Sequence, residues 1–173
     1  MMRQDGSFGY AEYSGLQVLE LPYSGKFLSM IVLLPKRIDG IRDLQNALTM
    51  ENLNKWTDKT EKEEVLVMLP RLKLTYTVDL ARALTNLGMP AAFDQFKADF
   101  SGMEDRHKDW LYISAVLHKA FINVNEEGTE AAAATAVVQM IGGEYSPPKV
   151  FRADHPFLFL IRDNRSGSIL FLG

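Results

Sequence analysis

The chain of 173 residues contains no cysteine. Disulfides and thiolate chemistry are therefore excluded, and the redox compartment stays open. It also lacks any run of the roughly 18 apolar residues that a membrane-crossing helix needs. Positive charge is not in excess: 19 Lys and Arg stand against 22 Asp and Glu, for a net charge of -3. Neither nucleic acid nor an anionic membrane is indicated as a partner. Met1 to Gly6 has no apolar core behind a basic start, so no signal peptide is read there. Histidine is scarce. His107, His118 and His155 show no HxH or HExxH spacing. There is no GxSxG nucleophile elbow, and no glycine-rich phosphate loop precedes Gly25-Lys26. Glu126, Glu127 and Glu130 could serve acid-base chemistry but have no matching partner. No catalytic residue, no metal and no cofactor is expected.

What remains is an ordinary soluble balance, 47% apolar and 24% charged, at a length that suggests one domain. Leu16 to Tyr23 and Leu28 to Leu34 read as two antiparallel strands joined at Ser24-Gly25-Lys26. The second, LSMIVLL, is nearly continuously apolar, the pattern of a strand covered on both faces. Before them, Met1 to Gly9 reads as a strand end and turn. Asp39 to Lys59 is helical in composition, with Thr49 placed to cap a second short helix through Lys55 and Trp56. The charge cluster Asp58 to Glu64 reads as a solvated link. Val65 to Tyr76 alternates as one long strand, with Pro70 marking a bulge, bend or edge. Thr77 is placed to cap a helix over Val78 to Leu87 that Gly88 ends. Trp110 to Asn125 is apolar on both faces, which predicts a long central strand of a covered sheet. Such a strand needs more partners than the rest of the chain supplies, so the chain is expected to be incomplete. Near its end, Val150-Phe151, Phe157 to Ile161 and Ile169 to Leu172 read as strands, the last two as a hairpin.

Between these lies Glu126 to Pro148, EEGTEAAAATAVVQMIGGEYSPP. Its alanines favour helix, whereas Ala136-Val137-Val138 favours strand. A long connection of this kind is usually a binding loop or a linker. On residue type alone, His118 on an apolar strand face reads as a core histidine that must find an acceptor. Arg71 would need an anion if its strand face were buried, and Glu126 or Glu127 could supply it.

Glu126-Glu127-Gly128-Thr129-Glu130-Ala131-Ala132-Ala133-Ala134-Thr135 resembles the hinge of a serpin reactive-centre loop. Supporting motifs occur in matching order: LQVLELP from Leu16, MIVLLP from Met30, LPRL from Leu69, LTNLGM from Leu84, ISAVLHKAF from Ile113 and HPFLFL from His155. The resemblance covers essentially the whole chain. It implies an α+β, serpin-like multi-sheet fold with surrounding helices. Residues 1–173 would be the C-terminal part of a single domain, and 126–148 its hinge and reactive-centre loop. The first helices and the middle strands of the large sheet would lie upstream of Met1, and a few residues would follow Gly173.

The resemblance also implies a function: protease inhibition as a suicide substrate, through loop cleavage and insertion into the large sheet. Thr129, Ala131, Ala133 and Thr135 would point inward on the inserted strand. Gly128 would relieve the chain where it folds back. Family spacing from Gly128 places the scissile bond at Gly142-Gly143, with Met140, Ile141 or Glu144 if the register shifts. Two glycines are unusual bait. No Lys or Arg lies between Gly128 and Pro148, so a trypsin-like target is disfavoured. An elastase-like or chymotrypsin-like serine protease is the expected partner, with a papain-like cysteine protease as the second class. His118 and Arg71 would belong to the region where the large sheet opens, Arg71 paired with Glu126. Further implied partners are the remaining N-terminal part of the domain and, by loop swapping, a second copy. The alternatives are a non-inhibitory carrier or chaperone of the same family, or an inactive fragment. The compartment stays open, with extracellular favoured over cytoplasmic.

Overall fold

The computed structural model describes residues 1–103, 111–125 and 147–173. Two compact units divide the chain: Met1–Leu72 with Val124–Gly173, and Lys73–Asn123.

The first unit is built on a seven-stranded sheet in the order β7-β4-β1-β2-β3-β8-β9. Its strands are β1 (Met2–Glu12), β2 (Leu16–Pro22), β3 (Leu28–Pro35), β4 (Glu61–Leu69), β7 (Lys149–Arg152), β8 (Leu158–Asp163) and β9 (Ile169–Leu172). The strand pairs β1–β2, β2–β3, β3–β8 and β8–β9 run antiparallel. The pair β4–β7 is parallel, with Val67 opposite Phe151. Between β3 and β4 stand α1 (Ile41–Ala47) and α2 (Met50–Thr57).

Alternation along β2, β3 and β8 sends side chains to two covered faces. One carries Val18, Ile31, Leu33, Leu158 and Leu160, packed with Leu44 of α1 and Leu53 of α2. Leu19, Leu21, Met30, Val32, Phe159 and Ile161 occupy the alternate positions and are buried as well. The doubly covered strand expected at LSMIVLL is therefore present. Thr49 caps α2 as its position predicted: its Oγ1 accepts from the Asn52 amide at 3.1 Å.

Three readings in this unit differ. Met2–Glu12 is one continuous strand of 11 residues, not a strand end and turn. It pairs with β4 from Met2 to Tyr10 and with β2 from Gly9 to Glu12. Gly9 is not a turn residue but a close approach, since a Cβ there would lie 3.1 Å from Glu20 Cβ. The acidic cluster after Asp58 is solvated, yet Glu61–Glu64 already belongs to β4, opposite Ser7–Tyr10. Lastly, Val65 to Tyr76 is two strands: Pro70, which has no amide hydrogen for a ladder, ends β4, and β5 (Leu72–Asp79) enters a different sheet.

The second unit holds most of a two-stranded sheet of β5 and β6 (Leu117–Val124), followed along the chain from β5 by α3 (Ala81–Asn86) and a short 3₁₀ turn at Ala91–Phe93. Gly88, at φ +103, ends α3. Its N-terminus differs from the expectation. β5 runs on through Thr77 to Asp79, and Asp79, not Thr77, accepts from the Ala81 amide at 2.9 Å. The long strand expected from Trp110 also starts later, at Leu117. The segment before it spends its backbone groups elsewhere: the Ile113 amide donates to Ala92 O, and Leu80 donates to Val116 O. Nor is β6 covered. Leu117 and Phe121 are 75% and 53% exposed, as are Leu74 and Tyr76 of β5 at 46% and 64%. Among the described residues this sheet has two strands, too few to bury either face.

Candidate functional site

Composition singled out the connection between β6 and β7 as the functional segment. The hinge from Glu126 to Thr135 and the bond Gly142-Gly143 lie outside the described residues. The structure describes how the chain enters and leaves this connection.

It leaves the second unit along β6, whose burial alternates toward its end. His118 lies on this strand and is exposed. Its reading as a buried core histidine is thus corrected: with no third strand beside β6 among the described residues, that face has no cover. Arg71 stands on the link between β4 and β5, in neither strand, and is also exposed. The condition attached to it, a buried strand face, is not met there because Pro70 breaks the ladder. His118 and Arg71 fall in different units.

The chain returns in the first unit at Pro147-Pro148 and enters β7 at once. β7 is a four-residue edge strand, and β4 is its only ladder partner among the described residues. Phe151 anchors it, fully buried opposite Val67. Ala153, 3% exposed, prolongs the ladder by donating to Met68 O at 2.9 Å.

Two polar chains fasten this return strand. In the first, Gln17 Nε2 donates to Val150 O at 3.2 Å and to Tyr10 Oη at 2.9 Å. Tyr10 in turn donates to Glu12 Oε2 at 3.2 Å, and Glu12 holds Lys36 Nζ at 2.6 Å. Burial pushes the Tyr10 phenol above its ordinary value, while the Lys36 hydrogen bond holds the Glu12 carboxyl below the usual range. β2 thereby reaches β7 across two intervening strands, so the sheet is strongly curled. In the second chain, Arg152 Nε lies 3.0 Å from Asp154 Oδ2, and His155 Nδ1 lies 2.9 Å from Asp154 Oδ1. The other ring nitrogen of His155 meets the Pro35 carbonyl at the end of β3.

Sequence reasoning missed Gln17, Tyr10 and Asp154 as anchors of β7. A signal existed for Gln17: a polar side chain inside the apolar strand LQVLELP needs a buried partner. The arrangement is suited to holding one end of a connection firmly. Among the described residues it brings together no group of three or more His, Asp or Glu side chains that could hold a metal ion.

Comparison with known proteins agrees with this architecture. The family model described as serpin (serine protease inhibitor) matches residues 1–173. A leukocyte elastase inhibitor of Sus scrofa is 49% identical over 172 residues, spanning 96% of this chain and 44% of that protein. Serpin B4 of Homo sapiens is 49% identical over 177 residues, spanning 100% of this chain and 45% of that protein. The solved structure of a tumour-suppressing serpin superimposes with a TM-score of 0.76 at 29% identity, covering 99% of this chain and 45% of that one. The chain thus spans a little under half the length of these relatives. With mixed helices and strands in more than one sheet, the α+β multi-sheet class read from the sequence holds. The chain belongs to the serpin family, whose members are described as serine protease inhibitors.

Proposed function

We propose that the protein inhibits a protease as a suicide substrate. Glu126 to Pro148 is the bait, and its hinge, Glu126 to Thr135, inserts beside β6 once the bond is cut. The observation that carries this reading is the composition of the connection. From Ala131 to Thr135 it has no charged, bulky or proline residue, and it joins β6 to a return strand fastened by Phe151 and Gln17. A segment that must become an interior strand tolerates small side chains and rejects charge, because burying an unpaired charge costs several kcal/mol or more. Cleavage at Gly142-Gly143 frees the hinge to insert, and β7 keeps the distal fragment in place.

The target is an elastase-like or chymotrypsin-like serine protease. Support comes from the absence of Lys and Arg between Gly128 and Pro148 and from the likeness to a leukocyte elastase inhibitor. Papain-like cysteine proteases are the second class. By the serpin resemblance, His118 is assigned to the region where the large sheet opens, and Arg71 to an ion pair with Glu126 there. The protein supplies the cleaved bond and the insertion, and the protease supplies the catalytic groups.

Incubation with pancreatic or leukocyte elastase, or with chymotrypsin, followed by a denaturing gel, tests the reading. A band joining protease and inhibitor supports it. With Ala133→Glu the complex is expected to disappear while cleavage continues. Cleavage of the unaltered protein with no complex by any of these enzymes would sink inhibition by this chain and leave the carrier or chaperone reading or that of an inactive fragment.

A further inference from the structure

His155 is placed so that both of its ring nitrogens meet acceptors. Nδ1 lies 2.9 Å from the Asp154 carboxylate and Nε2 meets the Pro35 carbonyl. A neutral imidazole carries one N–H and can satisfy only one of them. The other nitrogen would then turn a lone pair toward an oxygen. The side chain is 12% exposed, so water replaces a lost partner poorly. This arrangement therefore favours the imidazolium.

Asp154 also carries the Arg152 guanidinium at 3.0 Å, and its own amide donates to Arg152 O at 3.0 Å. Three groups among the described residues surround the ring. From its own segment comes the Asp154 carboxylate, from β7 the Arg152 guanidinium behind it, and from β3 the uncharged Pro35 carbonyl. The next charge along the chain after β3, Lys36, is held by Glu12 at 2.6 Å. Thus the end of β7 connects through Arg152, Asp154 and His155 to the end of β3, which is fully in the core.

We propose that Arg152, Asp154 and His155 form a proton-dependent latch that holds the end of β7 to the end of β3 and slackens when His155 loses a proton. Consistent with this geometry, the Asp154 hydrogen bond and then the Pro35 carbonyl raise the His155 pKa above the ordinary imidazole value. A raised folded-state value gives stability that is complete below the unfolded pKa and disappears as pH rises through the folded one. The latch is closed in acid and loosens in alkali. β7 is the element that responds, because it is a short edge strand with one ladder partner among the described residues. The inference does not depend on protease inhibition, and its test reads backbone protection alone.

The test follows amide hydrogen exchange at Ala153, whose N–H bonds to Met68 O, with the β3 amides as internal reference and the intrinsic pH dependence of exchange divided out. Protection at Ala153 is expected to fall about tenfold, the scale of one charge-assisted hydrogen bond lost, as pH rises through the His155 transition, while β3 stays constant. His155→Gln should abolish that fall. Asp154→Asn removes the charge that favours the imidazolium and should move the transition to lower pH. Unchanged protection across the titration overturns the latch, as does an identical fall in His155→Gln. Should the Gln variant not fold, an unmoved transition in Asp154→Asn overturns it.

Discussion

Asp79 Oδ1 accepts a hydrogen bond from the backbone amide of Val116 at 3.0 Å, across 37 positions of sequence. The same oxygen accepts from Ala81 at 2.9 Å. One carboxylate thus starts α3 and fixes the residue immediately before β6, the strand from which the candidate loop departs. These two backbone donors hold the Asp79 carboxyl below its ordinary value, Ala81 contributing most. A depressed folded-state value gives stability that is present above the unfolded pKa and lost as pH falls through the folded one. Asp79→Ala should therefore lower the unfolding midpoint near neutral pH and reduce the loss of stability on acidification. Paired denaturation curves at pH 7 and at acid pH check both. Equal acid sensitivity in the two proteins would remove Asp79 as the cause.

Leu33 lies at the centre of the first unit, with 0% exposure, between the helices and β8. Its truncation cannot be filled from either side, because both faces of β3 are packed. Leu33→Ala is expected to destabilise by about 2–5 kcal/mol, the range for buried leucine-to-alanine changes. Leu170→Ala, at a position 52% exposed on β9, should cost far less. Chemical denaturation of the two variants measures the difference, and comparable losses would contradict the placement of the core.

The tips of two hairpins are joined by Asn164. Its Nδ2 donates to Lys26 O at 2.9 Å and to Ser29 Oγ at 2.8 Å, and Ser29 is 1% exposed. Lys26 carries φ 60, a left-handed conformation that ordinary side chains adopt at a cost. Asn164→Asp would turn a donor into an acceptor facing a carbonyl. A loss of about 0.5–1.5 kcal/mol is expected, the net worth of a typical hydrogen bond, because Lys26 is exposed and the buried Ser29 hydroxyl can turn to donate. Thermal unfolding of Asn164→Asp beside Asn164→Ala checks it; equal stability of Asp and wild type would show that the bonds contribute nothing.

Legibility from sequence was uneven for identifiable physical reasons. LSMIVLL revealed a doubly covered strand because continuous apolar character has few other uses. Thr49 was readable because capping is local. β1 was not, because Gly6 and Gly9 carry the same letter whether they form a turn or admit a neighbour such as Glu20. Pro70 was recognised as an interruption, yet alternation continues on both sides of it. Nothing local states that Val65–Leu69 and Leu72–Asp79 join different sheets. Asp79 was invisible as an anchor since its partner Val116 is 37 positions away, and the polar letter of Gln17 inside an apolar strand does not name Val150, 133 positions away. His118 and Arg71 were assigned through the serpin resemblance, and their surroundings among the described residues are exposed. The hinge stood out through composition, a property of the segment itself that needs no partner to be read.

The central claim is that Glu126 to Pro148 is cut as bait and that the protease stays attached. Mass spectrometry of the denatured product after reaction with elastase tests it most directly. The account predicts an adduct of the protease with the fragment ending at Gly142, together with a free C-terminal fragment beginning at Gly143. Two free fragments with no protease adduct, or cleavage confined to sites outside 126–148, would contradict it.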